Sequence, residues 1–144
     1  MADRILVVDD EEAIREALCE FLTDEGYEAI LASNGEEALD LAETENPQLI
    51  LLDMRMPGID GIETCQRLKK NEKTRLIPII VATAFRDTFM EACDVGADDF
   101  VTKPFEVAEL SVRLRSMLHV RHLTNELERA VAYVNKLHEN LPKL

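Results

Sequence analysis

Five side chains that could do chemistry lie at or just beyond the ends of short apolar runs in the sequence. They are the carboxylates of Asp9, Asp10 and Asp53, the hydroxyl of Thr83 and the ammonium of Lys103. The runs before them are rich in branched residues and have the length of buried strands. Because the carboxyl ends of parallel strands meet along one edge of a sheet, we expect these side chains to share one crevice.

These residue types in one crevice predict a site for phosphoryl transfer. Three neighbouring carboxylates repel one another unless a cation lies among them, and Mg²⁺ is a hard cation that prefers oxygen ligands. Lys103 would supply a positive charge to an anionic group, and Thr83 a hydroxyl donor. We therefore expect Mg²⁺ as the cofactor and Asp53 as the carboxylate that receives the phosphoryl group.

The elements that must position these residues alternate between strands and amphipathic helices. This order is typical of an α/β protein whose doubly wound parallel sheet is covered by helices on both faces. The predicted strands are Arg4–Val8, Tyr27–Leu31, Leu49–Leu52, Ile77–Ala82, which begins near Pro78, and Asp99–Thr102. The predicted helices are Glu11–Glu25, Glu36–Thr44, one after Gly61 that ends near Glu72, Arg86–Val95 and one from Glu106 onward.

Four segments of the chain, in order and at matching spacing, resemble the receiver domain of two-component response regulators. They read VVDDE at 7–11, LLDMRMPGIDG at 51–61, VATA at 81–84 and ADDFVTKPF at 97–105. The resemblance covers residues 1–119, which we expect to form the receiver domain. It implies a flavodoxin-like (βα)5 fold with the strand order 2-1-3-4-5.

The resemblance implies a role for each residue of the crevice. Asp53 would be the phosphoacceptor and would take a phosphoryl group from the phosphohistidine of a sensor histidine kinase or a phosphotransfer protein. Asp9, Asp10 and Asp53 would hold Mg²⁺ together with the backbone carbonyl of Arg55, and Lys103 would pair with the phosphoryl group. The protein would then be a signalling switch that catalyses only its own phosphorylation and dephosphorylation.

The same resemblance predicts how the site signals. Thr83 would move to hydrogen-bond the phosphoryl group, and Phe100 would turn inward into the space that Thr83 leaves. Ala84 matches the small residue that the family keeps beside the site, and the Lys103–Pro104 peptide bond is expected to be cis.

Water reaches the phosphoryl group of a receiver past the side chains two positions after the phosphoacceptor and two after the threonine. These are Arg55 and Phe85, and both are large. We therefore expect slow self-dephosphorylation, with a lifetime from minutes upward, because bulk at these positions obstructs in-line attack.

The last helix is predicted to extend past the receiver, because no Gly or Pro interrupts the chain from Glu106 until Pro142. Within residues 120–144, apolar residues spaced by three and four predict a coiled-coil seam and a parallel homodimer. The alternative is a helix that folds back on its own domain. The extension is expected to lead to an output domain beyond Leu144 or to belong to a stand-alone receiver. The seam residues are Val120, Leu123, Leu127, Ala130, Val134, Leu137 and Leu141.

Composition limits the partners of the chain. Its 144 residues suggest one domain, and 29 acidic against 16 basic residues give a formal net charge of −13. So acidic a chain should not bind nucleic acid or an anionic membrane directly. No apolar run approaches the length of a membrane helix and no secretory signal is evident, so we expect a cytoplasmic protein.

The other ionisable and polar residues have structural explanations. Cys19, Cys65 and Cys93 fit no metal spacing and are expected to pack as small apolar side chains. His119 and His122 lie three apart on a helix without a third metal ligand and are expected to be solvated. Asp98 or Asp99 could pair with Arg113 or Arg115 on a surface where many receivers dimerise.

Plainer interpretations exist for the crevice residues and for the function. Taken singly, Asp9 and Asp10 could cap the first helix, Asp53 could lie in a turn, Thr83 could be a cap and Lys103 an exposed charge. An Asp-nucleophile phosphohydrolase would carry a second Asp where this chain has Arg55. A flavin carrier would need a phosphate loop where residues 9–12 are all acidic. A dimerisation module that works without phosphorylation is a third alternative.

Overall fold

The computed structural model describes residues 2–84 and 86–140, and for residues 86–89 it describes the backbone only. Within these residues, five parallel strands form one sheet in the order β2-β1-β3-β4-β5, as predicted. The strands are β1 (Arg4–Val8), β2 (Glu28–Ala32), β3 (Leu49–Asp53), β4 (Ile79–Thr83) and β5 (Asp99–Thr102).

A helix follows each strand. They are α1 (Glu12–Asp24), α2 (Gly35–Glu45), α3 (Gly61–Lys70), α4 (Arg86–Asp94) and α5 (Val107–Glu139). Asn34 is the N-cap of α2, and its side chain accepts a hydrogen bond from the backbone N–H of Glu37. Asp60 is the N-cap of α3, and its side chain accepts one from the backbone N–H of Glu63. After α1 the chain turns at Gly26, whose φ of 90° is a backbone conformation that favours glycine.

The sheet lies between two apolar clusters, because successive side chains of a strand point to opposite faces. Leu6 and Val8 of β1 pack in the cluster beneath α2, α3 and α4, whereas Ile5 and Val7 pack in the cluster beneath α1 and α5. All five residues of β3 are buried. The parallel register places the ends of β1, β3 and β4 side by side at one edge of the sheet.

Several predicted element boundaries were wrong by one or two residues. Strand β2 begins and ends one residue later than predicted, and α3 ends at Lys70 because Asn71 is extended. Strand β4 begins at Ile79, after Pro78, whose carbonyl accepts a hydrogen bond from the backbone of Ile50. Strands β3 and β4 also end one residue later than predicted, at Asp53 and Thr83, so these two residues belong to the strands rather than following them.

Helix α5 is 33 residues long, and its buried residues are Leu110, Leu114 and Leu118. Beyond Leu118 the helix continues past the sheet with its side chains largely exposed. Leu141, the last residue of the predicted seam, lies outside the residues that the structure describes. In residues 2–84 and 86–140, no helix combines the length and the apolar character needed to cross a membrane.

Candidate functional site

The register of the sheet brings the predicted crevice residues together. Asp53 of β3 lies opposite Ala82 of β4, and Thr83 lies opposite Thr102 of β5, one residue before Lys103. The backbone N–H of Lys103 donates to the carbonyl of Thr83 at 3.0 Å. Asp9 follows the last residue of β1, and its backbone N–H donates to Ala32 of β2. One edge of the sheet therefore carries all of these side chains.

Asp9 is buried and is held in place from several directions. Its carboxylate oxygen Oδ1 accepts a hydrogen bond from the backbone N–H of Glu11 at 3.0 Å, and its carbonyl accepts one from the guanidinium of Arg15 at 2.7 Å. The alternative that Asp9 or Asp10 is the N-cap of α1 was wrong, because Glu11 occupies that position and makes no side-chain cap hydrogen bond. The Asp9 carboxylate therefore contacts the start of α1 through Oδ1 and the crevice through Oδ2, which faces Lys103.

Lys103 connects the two buried carboxylates. Its ammonium nitrogen Nζ lies 2.9 Å from Oδ2 of Asp9 and 3.2 Å from Oδ1 of Asp53. Burial by itself would lower the pKa of Lys103, but the hydrogen bond to Asp9 and the charges of Asp53 and Asp9 outweigh it, so the pKa is raised. Lys103 is therefore a permanent cation of the site.

Asp53 is 6% exposed, and burial raises the pKa of its carboxyl above the ordinary value. The negative charge of Asp9 raises this pKa further, while Lys103 and the backbone N–H of Arg55, 3.3 Å from Oδ1, lower it. Asp53 is thus a carboxylate at which negative charge is disfavoured, and a further cation beside it would stabilise its ionised form.

The donor set suits a hard divalent cation. Asp9, Asp10 and Asp53 each offer a carboxylate oxygen, and these oxygens lie within 4.8 Å of one another. Asp10 is exposed and leaves the cluster open to solvent, so a bound ion would keep water ligands, as Mg²⁺ usually does. Burial of Asp53 beside Asp9 leaves negative charge that Lys103 alone does not balance. The residues present therefore fit Mg²⁺.

A cavity of about 230 Å³ opens over these residues. Its walls include Asp53, Thr83, Ala84 and Lys103, together with the exposed residue Arg55. Thr83 is buried at the wall and Ala84 is exposed. The cavity is large enough for a phosphoryl group next to Asp53. Phe85 lies outside the residues that the structure describes.

Phe100 lies on β5, two strands away from Asp53. It is half-buried and packs against the cluster beneath α2, α3 and α4. The guanidinium of Arg113 lies 5.9 Å from its ring centroid and also pairs with Asp99 at 3.2 Å. One of the predicted surface ion pairs is thereby confirmed, whereas Asp98 instead pairs with Lys69 at 3.1 Å. The Lys103–Pro104 peptide bond is cis, as predicted.

Two supporting residues were missed from the sequence. Arg15 fixes the carbonyl of Asp9. Gly61 is the first residue of α3 and packs so tightly beneath β3 that a Cβ atom there would lie 2.6 Å from the carbonyl oxygen of Asp53. The N-cap residue Asp60 before a glycine was a signal for a helix start, but nothing in the sequence indicated this close approach.

Two predictions for other residues were wrong in part. His122 is exposed, but its Nε2 atom lies 3.1 Å from a carboxylate oxygen of Asp3, so it is not simply solvated. Cys65 is buried as predicted, whereas Cys93 is exposed on α4 and Cys19 is half-buried. Cys93 lies on the outer side of α4. The spacing of the cysteines along the chain does not indicate which side of a helix each one occupies.

The sequence matches a family model, the response regulator receiver domain, over residues 5–115. The chain belongs to the response regulator receiver family. This receiver is 45% identical over 120 residues to the alkaline phosphatase synthesis transcriptional regulatory protein PhoP of Bacillus subtilis, a match that covers 82% of this chain and 49% of PhoP. It is 45% identical over 121 residues to the response regulator MprA of Mycolicibacterium vanbaalenii, covering 82% of this chain and 51% of MprA.

The fold of the receiver is shared with solved structures. Chemotaxis protein CheY4 of Vibrio cholerae matches with a TM-score of 0.77 and 29% identity, over 81% of this chain and 99% of that chain. The receiver spans about half the length of the curated relatives it matches. Those relatives are regulators rather than catalytic enzymes by their names.

Proposed function

We propose that this receiver, residues 1–119, is the phosphoacceptor switch of a two-component phosphorelay. Its phosphodonor would be the phosphohistidine of a sensor histidine kinase or of a phosphotransfer protein, and its acceptor Asp53. The single observation that carries the proposal is the cluster of Asp9, Asp10 and Asp53 with Lys103 bridging two of the three carboxylates. A cytoplasmic location is part of the same proposal.

The transfer step follows from this arrangement. A carboxylate oxygen of Asp53 attacks the phosphorus atom, a P–O bond forms and the P–N bond to the imidazole breaks. The leaving imidazole nitrogen takes up a proton, and Asp53 becomes an acyl phosphate. The Lys103 ammonium, now 3.2 Å from Asp53, donates to a phosphoryl oxygen and balances its charge. Thr83, in the wall of the same cavity, supplies a hydroxyl donor.

Mg²⁺ completes the site in this proposal. Asp9, Asp10 and Asp53 would hold it, with the backbone carbonyl of Arg55 as a further ligand. When bound, it supplies positive charge to the phosphoryl oxygens during transfer. Asp9 is already oriented for this task, because the Glu11 N–H and Arg15 fix its carboxylate and its carbonyl.

Phosphorylation adds about −1.5 to −2 charges at Asp53, and we propose that Thr83 and Phe100 convert this change into a different surface on β5 and α5. Thr83 would move toward the phosphoryl group and Phe100 would turn inward. The contact of Phe100 with Arg113 of α5 supports this role. The altered α5 would then act on dimerisation or on an output domain.

The relatives suggest what the output controls. PhoP is named a transcriptional regulatory protein, and so by analogy we propose that the receiver governs DNA binding elsewhere in a regulator. The receiver chain itself, with a net charge of −13, would not hold the DNA backbone directly.

Mass spectrometry after incubation with Mg²⁺ and acetyl phosphate tests the proposal. We expect one added phosphoryl group, which disappears in Asp53→Ala and is retained in Asp60→Asn, an exposed position at the start of α3. No added mass, or mass that survives Asp53→Ala, would overturn the phosphoacceptor assignment. Multiple-turnover hydrolysis of a phosphate monoester, with no phosphoryl mass retained at Asp53, would instead favour a phosphohydrolase.

A further inference from the structure

Helix α5 changes its apolar side where it leaves the sheet. Up to Leu118, its apolar residues are buried against the sheet. From Val120 onward, the apolar residues are exposed, at 47% for Val120 and 65% for Leu127. Leu118 and Leu127 are nine residues apart, about two and a half turns, so they point to opposite sides of the helix. One helix therefore carries two apolar faces, and only the first is covered.

The side of the extension that faces its own domain is polar. The Arg121 guanidinium donates to the carbonyl of Leu76 at 3.3 Å, and His122 pairs with Asp3. Asn125 and Glu128, one and two turns further along the same side, line a groove with the loop before β3. These contacts hold the extension with its exposed apolar side directed away from the sheet, so the helix does not fold back to bury that side.

We propose that the exposed apolar side of α5, from Val120 to Leu137, pairs with the same side of a second copy of this chain. The two helices would form a parallel, in-register, two-stranded coiled coil. Val120 and Val134 occupy first heptad positions, and Leu123 and Leu137 occupy fourth positions, the combination that favours two parallel strands. Residues 120–139 form about three heptads, and their exposed apolar side begins within two residues of the last buried contact of α5.

Charge favours a second copy as the occupant. Residues 1–60 hold 17 acidic and 3 basic residues, whereas residues 120–144 hold 3 acidic and 4 basic residues, so the extension is nearly neutral. In the parallel arrangement, Glu126 of one helix lies beside Val131 of the other, and Tyr133 lies beside His138. No like charges face each other across the seam, so two extensions meet without the repulsion that two acidic surfaces would have.

Ala130 makes the pairing weak. It is the fourth-position residue of the middle heptad, and with Val131, Val134 and Asn135 it lines a shallow depression of about 210 Å³. Two alanines facing each other in that layer leave the seam underfilled, and three heptads are few for a stable coil. A weak pair is one whose formation a change in the receiver can control, so the pairing is suited to serve as an output of the proposed switch.

Sedimentation of the whole chain across micromolar to millimolar concentration tests the pairing. We expect a concentration-dependent dimer that Leu127→Gln abolishes and that Ala130→Leu tightens by about tenfold or more, because leucines fill the empty layer. Ala132→Leu is the matched control, since Ala132 faces the groove on the opposite side of the helix. The proposal is overturned if the Ala130→Leu variant remains monomeric, or if the Leu127→Gln variant dimerises as strongly as the parent.

Disulfide formation tests the direction of the helices. The described part of the extension contains no cysteine, so Val134→Cys in a Cys19→Ser, Cys93→Ser background introduces one thiol in a first-position layer. A parallel, in-register pair brings the two introduced thiols together and oxidises to a covalent dimer, whereas Ala132→Cys in the same background does not. Dimers of the Val134→Cys chain that fail to cross-link overturn the parallel register.

The experiments distinguish a failure of the dimer proposal from a failure of the proposed phosphorylation. Both assays are run on unphosphorylated protein and on Asp53→Ala, neither of which carries an acyl phosphate. A missing dimer in these samples counts against the seam alone, while missing phosphoryl mass at Asp53 counts against the switch alone.

Discussion

The ammonium nitrogen of Lys103 lies 3.2 Å from a carboxylate oxygen of Asp53. This contact joins the end of β5 to the end of β3, across the intervening strand β4, and the same ammonium also contacts Asp9 beyond β1. One largely buried cation thus balances two buried carboxylates. The stability of the fold and the chemistry of the site therefore depend on the same ion pairs, and substitutions there should change both.

Asp53→Asn should stabilise the metal-free chain at pH 7. Because burial raises the pKa of Asp53, protonation is more favourable in the folded chain than in the unfolded chain. Such a group contributes stability that is present below its ordinary pKa near 4 and is lost as pH rises through the folded-state value. Asparagine avoids that loss. We expect a higher urea midpoint than the parent at pH 7 in a chelator, and convergence of the two at acid pH.

Asp40→Asn on the exposed side of α2 is the control, and it should leave the midpoint unchanged at both pH values. A parent chain as stable as Asp53→Asn at pH 7 would show that Lys103 fully compensates the buried charge.

Lys103→Met should destabilise the metal-free chain by about 3 kcal/mol, because it leaves Asp9 and Asp53 buried without their cation. Mg²⁺ should then bind more tightly than in the parent, since the carboxylates lose their competing partner. Urea unfolding with and without Mg²⁺ measures both effects. Lys73→Met, which removes an exposed pair with Glu43, should cost far less. Equal losses in the two variants would contradict the coupling of Lys103 to the buried carboxylates.

The sequence predicted the topology and the main site residues for a physical reason. Runs that end in Asp53 and Thr83 are buried strands, and parallel strands must bring their carboxyl ends to one edge. The strand ends themselves were less predictable, because hydrogen bonds from neighbouring strands decide them. The Met54 N–H, for example, donates to Ala82, which keeps Asp53 within the sheet.

What could not be predicted depends on contacts between residues far apart in sequence. The Lys103–Asp9 pair spans 94 positions, and its length follows from the packing of all five strands. The approach of Gly61 to Asp53 and the exposure of Cys93 likewise depend on how α3 and α4 rest on the sheet. The local sequence pattern indicates which face of a helix is apolar, but it does not indicate how closely that face packs against the sheet.

Arg55→Asn should shorten the lifetime of the acyl phosphate, which we expect to be minutes or longer in the parent. Arg55 is exposed and lines the cavity that contains Asp53, so we expect its bulk to obstruct water that approaches in line with the scissile bond. Loss of phosphoryl mass after removal of acetyl phosphate gives the rate. Arg67→Asn, on the exposed side of α3, is the control. A parent lifetime of seconds that Arg55→Asn leaves unchanged would refute the role of Arg55.

Cys65 and Cys93 should differ sharply in reactivity. Burial raises the pKa of the Cys65 thiol to about 11, so at pH 8 about one thiol in a thousand is ionised. Cys93 is exposed. We expect iodoacetamide to modify Cys93 in the folded chain and Cys65 only after urea is added, as read from peptide masses. Modification of Cys65 at the rate of Cys93 without urea would show that α3 opens readily.

Gly61→Ala should disturb both the fold and the proposed phosphoacceptor, Asp53. A Cβ atom at this position would lie 2.6 Å from the carbonyl oxygen of Asp53 and 2.7 Å from Cα of Met54. These are backbone atoms, which cannot move to relieve the clash as easily as the end of a flexible side chain. The start of α3 must then move away from β3, at a cost of about 2 kcal/mol. Because that movement displaces Asp53, phosphorylation by acetyl phosphate should slow as well.

Gly26→Ala separates this steric effect from the conformational cost of losing a glycine. Gly26 has a φ of 90° but no atom within 4 Å of an added Cβ, so its substitution should cost about 1 kcal/mol and leave phosphorylation at the parent rate. If Gly61→Ala also phosphorylates at the parent rate, then the position of Asp53 does not depend on the packing of α3 beneath β3. If phosphorylation slows only in Gly61→Ala, the close approach of α3 to β3 is what fixes the position of Asp53, the proposed phosphoacceptor.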